Sequence, residues 1–315
     1  MFRLIKNEWI KIFKRPGTYV MIGLLVLMVA GIAGLTKYSD SKQQEQANWE
    51  QVVKAEIAGY QKQLKEDSYM TKDQKEYIKG QIKVNEYRLQ NDVPADVKTT
   101  MWTFIEDNAQ LLNFVGLFMI IIAAGSVASE YTWGTIKLLL IRPISRPKIL
   151  LSKYLGVVLF GLFMMAVLFL LSSLIGAILF GTSGQSVHLA YEGGKVVEQS
   201  LVLHLAKLYL LQSISVFMMA TMAFMISAAF RSSSLAIGIA MFLLFMGPSV
   251  TGLIAMKYDW AKYSLFANTD LLQFETGRVL VDGMTLGFSL TVLAVYFIIF
   301  HVLAFTIFSK RDVAA

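Results

Sequence analysis

The sequence contains no cysteine, which excludes disulfide bonds, thiolate metal sites and a cysteine nucleophile. Charged residues are also scarce: they make up 16% of the 315 residues, whereas about 25% is usual in a soluble domain. The three histidines, His188, His204 and His301, are far apart in the sequence and lack the spacing of metal ligands. With a mean hydropathy of +0.55, this composition predicts a membrane protein without a metal site.

Six apolar runs contain no Asp, Glu, Lys or Arg, and they cover residues 17–35, 111–128, 154–180, 208–230, 235–256 and 286–308. Each run is long enough to cross roughly 30 Å of hydrocarbon at about 1.5 Å per residue of helix. We therefore predict an all-α membrane protein with six transmembrane helices. The first run follows a basic stretch, as in a signal peptide, but its length and the five later runs indicate an uncleaved signal anchor.

Positive charge is unevenly divided between the segments that join these runs. Residues 1–16, 129–153, 231–234 and 309–315 together carry 13 basic and three acidic residues, which leaves 16 basic and 19 acidic residues elsewhere. By the positive-inside rule both termini of this multi-pass protein are then cytoplasmic. The absence of cysteine fits a location in a bacterial plasma membrane. Because the basic residues lie in short segments beside the bilayer, lipid contact and orientation account for them, and no nucleic-acid partner is expected.

The longest polar segment, residues 36–110, is predicted to form an extracytoplasmic helical hairpin. Apolar residues recur at helical spacing on both sides of a capping box formed by Thr71 and Gln74, and Pro94 ends the second helix. This hairpin is either a cap that faces a substrate or partner, or a solvated linker. The other outside segments are residues 181–207, predicted as a loop, and residues 257–285, which suit a short interfacial or re-entrant helix.

The sequence lacks the patterns expected of an enzyme. No Gly-x-x-x-x-Gly-Lys-Ser/Thr phosphate loop occurs, nor His-Glu-x-x-His, nor Gly-x-Ser-x-Gly, nor a carboxylate pair within an apolar run. The runs offer Asn113, Gln212, His301 and scattered Ser and Thr as polar groups, which disfavours an ion-coupled carrier and suits ordinary hydrogen bonds between helices. We therefore expect neither catalysis nor a bound cofactor in this chain.

Residues 129–153 form a polar segment with more detailed features. Glu130 follows the second run directly, and residues 132–140 suit a short amphipathic helix. Pro143 ends that helix, because the residue before a proline avoids helical angles. Ser145 can then cap a further helix that has Pro147 in its first turn. The segment is predicted to be a helix, a turn and a second helix at the cytoplasmic surface.

This segment resembles the loop between the second and third spans of ABC-2 type ABC transporter permeases. The residues that carry the resemblance are Glu130, Tyr131, Gly134, Thr135, Lys137, Arg142, Pro143, Ser145 and Arg146, with "ILLSKY" from Ile149. In that family the loop is a coupling helix that docks on a cytoplasmic ATPase subunit, which binds ATP and Mg²⁺. Residues 1–16 similarly resemble the family's amphipathic interface helix. The alternative interpretation is that the basic residues only set the orientation in the membrane.

The resemblance implies a permease subunit that pairs with a second copy or a related permease and binds ATPase subunits. Its substrate would be amphiphilic, such as a peptide, a lipid or a drug, because the spans offer an apolar wall and few charged contacts. Long first outside loops occur in family members linked to antimicrobial-peptide export or immunity. The alternative function is a membrane sensor or immunity protein that binds a ligand through its helical hairpin without transport.

Overall fold

The computed structural model of the chain describes residues 1–42, 49–66, 70–95, 98–136, 143–182, 187–230 and 232–310. Six of its helical segments are long and apolar enough to cross a membrane, so the chain is a multi-pass membrane protein in which helices dominate. These segments are α2 (Pro16–Lys42), α5 with α6 (Met101–Asn108 and Leu112–Thr132), α7 (Arg146–Phe180), α8 (Leu201–Ala229), α9 (Ser233–Ala255) and α11 (Leu286–Lys310).

Shorter elements lie at the two ends of this bundle. The short helices are α1 (Phe2–Phe13), α3 (Trp49–Glu66), α4 (Lys72–Gln90) and α10 (Leu265–Asn268). Three 3₁₀ turns cover Ala109–Leu111, Asp259–Tyr263 and Leu271–Phe274. Helix α7 extends from the end of the bundle where α1 lies to the end where α5 begins. Gly156, near the start of α7, contacts Glu8 of α1, and Gly176, near the end of α7, contacts Met101 of α5.

Two β-strands occupy a segment that the sequence predicts as a loop. Strands β1 (Val187–Glu192) and β2 (Lys195–Ser200) pair antiparallel, with Val187 opposite Ser200. Gly193 and Gly194 join them with φ angles of +58° and +86°, which only glycine adopts without strain and which tight hairpin turns require. The Gly-Gly pair was therefore the sequence signal for this β-hairpin.

The helices extend beyond the apolar runs that predict them. Helix α6 continues to Thr132, four residues past the predicted end of its span, and α7 starts at Arg146 rather than at Tyr154. Hydropathy marks the part of a helix that suits hydrocarbon, whereas the helix itself continues wherever its polar side chains find partners. Ser145 precedes α7 as predicted, with Pro147 in the first turn, but its side chain makes no capping hydrogen bond.

Only the edges of the predicted short helix over residues 132–140 can be compared with the structure. Trp133, Gly134 and Thr135 form a turn directly after α6. Residues 137–142, which include Lys137 and Arg142, lie outside the described residues. The described part of this segment is therefore a turn that leaves α6 and a chain that enters α7.

Helix α6 is the central span of the bundle. Within the described residues, 72% of its most apolar window is buried, against 17% for α9 and for α11. The Ser227 hydroxyl of α8 accepts hydrogen bonds from the backbone N–H groups of Val127 and Ala128, at 3.1 and 3.0 Å. Gly161 of α7 lies against the Met119 side chain, where an added Cβ would be 2.4 Å from the sulfur. Helix α6 is therefore in close contact with both α7 and α8.

Helices α3 and α4 pack side by side and form a helical hairpin. The Asn85 amide donates to a Glu56 carboxylate oxygen at 3.0 Å across their contact. Both hydrogen bonds of the capping box expected for Thr71 and Gln74 are present, at 3.1 and 3.2 Å. Helix α4 also meets the β-hairpin, because Gly80 lies directly under the ring of Tyr191. The helical hairpin thus packs against the β-hairpin through α4.

The β-hairpin contacts α8 through a stacked pair of histidines. The rings of His188 and His204 lie 3.6 Å apart and 9° from parallel. Burial, followed by the neighbouring His204, lowers the pKa of His188. Arg88 acts in the same direction, whereas the charges of Glu106 and Glu275 oppose the shift. A proton on His188 is therefore disfavoured while the β-hairpin is packed.

We expect the packing of the β-hairpin to weaken as the pH falls below about 6.5, the pKa of an unperturbed histidine. Below that value His188 binds a proton more readily in the released hairpin than in the packed one, so acid favours release. Hydrogen exchange of residues 187–200, corrected for its intrinsic pH dependence, measures this effect. The His188→Phe variant keeps a stacked ring without a titrating nitrogen, and an equal pH response in that variant would contradict the assignment.

Candidate functional site

Four charged side chains from three helices meet where α6 ends and α7 begins. Glu130 of α6 and Lys153 of α7 are 5% and 2% exposed. Lys153 Nζ donates to Glu130 Oε1 at 2.7 Å and to Glu8 Oε2 of α1 at 3.1 Å. Lys11 Nζ donates to the same Glu130 oxygen at 2.9 Å and lies 3.3 Å from Glu8 Oε1. We call these four residues, Glu8, Lys11, Glu130 and Lys153, the charge cluster.

The charge cluster carries no net charge, and both oxygens of the Glu130 carboxylate accept hydrogen bonds. Two carboxylates face two ammonium groups, which is the arrangement in which buried charge is tolerated. The second oxygen of Glu130 accepts a hydrogen bond from the Thr135 hydroxyl. Arg15 lies beside the cluster, where its guanidinium donates to the Ser129 hydroxyl at 3.3 Å and sits 5.3 Å from the centre of the Trp133 ring. The start of the loop after α6 is thus connected to α1 and to Arg15, which follows α1.

Lys11 remains charged across the neutral range. Burial by itself would lower the pKa of Lys11, but the hydrogen bond to Glu130 and the negative charges of Glu8 and Glu130 outweigh it, so the pKa is raised. A lysine whose pKa is higher in the folded protein stabilises the fold at all pH values below its unfolded pKa, and this contribution is lost only at strongly alkaline pH. Lys11 therefore contributes a permanent positive charge to the cluster under physiological conditions.

Aromatic packing brings α1 into the position that the cluster requires. Trp9 and Phe13 both meet the ring of Phe163 in α7 edge to face, at centroid distances of 5.9 and 5.2 Å. Glu8 and Lys11 stand three residues apart and so point to the same side of α1. Gly156 permits this close approach, because a Cβ added there would lie 3.2 Å from the Glu8 Cβ. One side of the expected interface helix is therefore bound to the spans.

The structure divides the predicted coupling residues into two groups. Glu130 is buried within the cluster, Thr135 bonds to it, and Tyr131 packs against the apolar core. Arg146 donates to the Ser309 carbonyl at 2.9 Å, which joins the start of α7 to the end of α11. The remaining described residues are exposed, namely Gly134, Pro143 and Ser145. A buried carboxylate is not accessible to a docking protein, so Glu130 can contribute to docking only by holding the loop.

Sequence reasoning missed the partners of Glu130. Lys153 belongs to the "ILLSKY" motif, and Glu8, Lys11 and Arg15 belong to the predicted interface helix, but none of them is connected with Glu130 in the sequence analysis. Trp133, which is 64% exposed, is not singled out there either. One signal was available, since Glu8 is the single acidic residue in the basic segment 1–16 and precedes Lys11 by three positions. Within the described ranges, no group of three or more His, Asp or Glu side chains is arranged to hold a metal ion.

Comparison with known proteins finds one family and two relatives that this chain resembles. Residues 70–314 match the model of a family described as "Protein of unknown function (DUF2705)". The chain is 50% identical over 317 aligned positions to "Uncharacterized protein YhcI" of Bacillus subtilis (strain 168), with 100% of both chains covered. It is 33% identical over 198 residues to "Uncharacterized membrane protein YdbK" of the same organism, covering 62% of this chain and 76% of that protein. The matched family segment contains Glu130 and Lys153 but not α1.

Proposed function

This chain belongs to the DUF2705 family of proteins of unknown function, and we propose that it is the permease subunit of an ATP-driven transporter of the ABC-2 type. A cytoplasmic ATPase subunit would hold ATP and Mg²⁺, and a second copy of this chain or a related permease would complete the transport path. The proposal combines the sequence resemblance of the segment around Glu130 with the structure at its base.

The observation that carries the proposal is the position of Glu130. Its carboxylate receives Lys153 of α7 at 2.7 Å and Lys11 of α1 at 2.9 Å. The helix that leads into the loop and the helix that leaves it are therefore held to each other and to α1. A force applied to the loop would move these three helices together, and α6 lies at the centre of the bundle. Rigid movement of this kind is a common means of coupling between distant sites.

An exposed surface beside the charge cluster is available for docking. Trp133 projects from the end of α6, and Gly134 after it has a φ of +69° with no atom within 4 Å of the position a Cβ would take. Pro143, Ser145 and Lys148 are exposed at the start of α7. Large aromatic residues often dominate the energy of protein interfaces, so Trp133 is the best candidate for the principal contact with the ATPase.

We expect an ATPase to co-purify with the wild-type protein from its native host and to be lost from Trp133→Ala. The truncation removes the exposed indole while the four residues of the charge cluster remain. Trp260→Ala is the matched control, because Trp260 is 57% exposed in the 3₁₀ turn Asp259–Tyr263 and does not lie on the proposed docking surface. Mass spectrometry of the purified membrane complexes identifies and quantifies the bound subunit.

Two results would count against this proposal. Equal recovery of the ATPase with both tryptophan variants would show that docking does not use the surface around Trp133. Recovery of no ATPase with the wild-type protein, under conditions that preserve membrane complexes, would contradict the transporter assignment itself. The sensor or immunity hypothesis would then take its place.

A further inference from the structure

A large cavity lies at the end of the bundle opposite the charge cluster. It has a volume of about 1100 Å³, is partly open to its surroundings, and is lined by the helical hairpin, α5, the β-hairpin, the start of α8 and the chain from Leu272 to Thr285. We call it the hairpin chamber. Ligand sites in proteins commonly have volumes of about 300–1,000 Å³, so the chamber has room for a ligand at the upper end of that range.

Close contacts hold the walls of the hairpin chamber in place. A Cβ added to Gly80 of α4 would lie 2.8 Å from the ring of Tyr191 in β1, so only glycine permits this approach. Gly277 meets Tyr77 of α4 in the same way, with a distance of 2.4 Å from the added Cβ to the Tyr77 Cβ. Lys207 of α8 forms an ion pair of 2.8 Å with Glu275. Contacts within the chain therefore join the segments that form the chamber walls.

The charge of the lining is predominantly negative. Five carboxylates line the chamber, from Glu56, Asp73, Glu76, Glu106 and Glu275. The lining contains two permanently charged basic residues, Arg88 and Lys207. Burial lowers the pKa of His188, so this ring adds no positive charge at neutral pH. A concave surface with one sign of charge and walls of low dielectric constant concentrates ligands of the opposite sign.

Two of the carboxylates are better placed than the others to receive a cation. Glu275 is paired with Lys207, and Glu106 Oε1 lies 3.3 Å from His204 Nε2. Glu56 accepts a hydrogen bond from Asn85. Asp73 and Glu76 have no ion pair with another described residue. They stand three positions apart in the first turns of α4, a spacing that places both on the same side of the helix.

Apolar side chains form much of the remaining lining. They come from α4, from α8 and from the chain that follows the last 3₁₀ turn, and they include Val84, Leu208, Leu272, Phe274, Val279 and Met284. Such a surface favours the burial of an apolar body. A ligand that satisfies both parts of the lining carries positive charge on an apolar framework.

We propose that the hairpin chamber binds an amphiphilic organic cation, with its ammonium or guanidinium group at Asp73 and Glu76 and its apolar body against Leu272 and Phe274. The proposal concerns this chain alone and does not depend on docking of an ATPase. The capture of an ATPase by the surface around Trp133 therefore has no bearing on it, and a failure of either proposal leaves the other intact.

Binding can be measured with two fluorescent probes that share a xanthene framework and differ in charge. Rhodamine 6G is an apolar cation, and fluorescein is an anion. The full chain is placed in nanodiscs of zwitterionic phosphatidylcholine, and fluorescence anisotropy is recorded against empty nanodiscs to subtract binding to lipid. We expect saturable binding of rhodamine 6G and no saturable binding of fluorescein.

Two double variants locate the site. Asp73→Asn with Glu76→Gln removes both carboxylates from the chamber, and we expect affinity for rhodamine 6G to fall by about tenfold or more. Glu50→Gln with Glu86→Gln removes the same number of charges from α3 and α4 at positions that do not line the chamber, and it should leave affinity unchanged. Size-exclusion profiles and melting temperatures of both variants report whether each protein is folded.

A measurement on the wild-type protein keeps the test independent of variant folding. Raising NaCl from about 0.1 M to about 1 M shortens the Debye length from about 10 Å to about 3 Å, and it should weaken the binding of rhodamine 6G. The proposal is overturned if rhodamine 6G does not bind saturably, if fluorescein binds equally well, or if salt and the chamber variant both leave the affinity unchanged.

Discussion

Replacing Glu130 by alanine is expected to destabilise the protein by about 3–5 kcal/mol, the usual cost of removing one partner from a buried ion pair. The loss is large because Lys153 is 2% exposed and would keep only Glu8 as a partner, at 3.1 Å. Lys11 and the Thr135 hydroxyl would lose their contacts with the Glu130 carboxylate at the same time. The fall in melting temperature of the purified protein in detergent measures the effect.

Two comparisons separate this effect from a general loss of charge. Glu86→Gln breaks the exposed ion pair between Glu86 and Lys83, and it should change the melting temperature little, because surface pairs contribute little to stability. Combining Glu130→Leu with Lys153→Met removes both buried charges, and it should recover much of the lost stability. If Glu130→Ala alone were as stable as the wild type, the charge cluster would not hold these helices together.

The substitution Gly277→Ala is expected to displace the chain after the last 3₁₀ turn from the helical hairpin. Gly277 has a φ of +64°, where an L-residue is strained by about 1–2 kcal/mol. The added methyl group would also lie 2.4 Å from the Tyr77 Cβ and 3.0 Å from the Asp73 carbonyl oxygen. These atoms belong to the base of α4 and cannot turn away, so overpacking adds about 1–3 kcal/mol. The melting temperature and the hydrogen exchange of α4 measure the two consequences.

Gly283 provides a control for the backbone contribution alone. Its φ is +80°, and no atom lies within 4 Å of the position that a Cβ would occupy. Gly283→Ala should therefore show the strain of the left-handed conformation without the clash, and its effect should be clearly smaller than that of Gly277→Ala. Equal effects of the two substitutions would mean that the contact between Gly277 and Tyr77 does not constrain α4. Loss of this contact would also be expected to open the hairpin chamber and to weaken binding of rhodamine 6G.

The charge cluster and the hairpin chamber lie at opposite ends of one bundle. Helices α7 and α8 extend through it, and α6 is packed tightly between them through Ser227 and Met119. The proposed movement at the loop would therefore reach the chamber through α8, whose first residues line it. The two proposals can be tested separately, because different residues form the charge cluster and the hairpin chamber and a different experiment measures each of them.

The sequence by itself determined the membrane character of this protein and its six spans. Apolar runs without charged residues have no stable location other than hydrocarbon or a protein core, and their length matches a bilayer. Some local signals were equally reliable where the interacting groups are neighbours in the chain, although the predicted cap at Ser145 does not form. Thr71 and Gln74 form their capping box, and Pro147 lies in the first turn of α7, because both features depend on only a few consecutive residues.

The tertiary structure decided which charged residues belong together. Glu130 meets Lys11, 119 positions away, and Lys153 meets Glu8, 145 positions away. A sequence shows that each of these residues lies near a membrane boundary, and this alone suits residues that merely set orientation. Their pairing depends on how α1, α6 and α7 are rotated and how closely Gly156 lets α1 approach α7. The hairpin chamber likewise depends on Gly80 and Gly277, whose close contacts join segments that are distant in the chain.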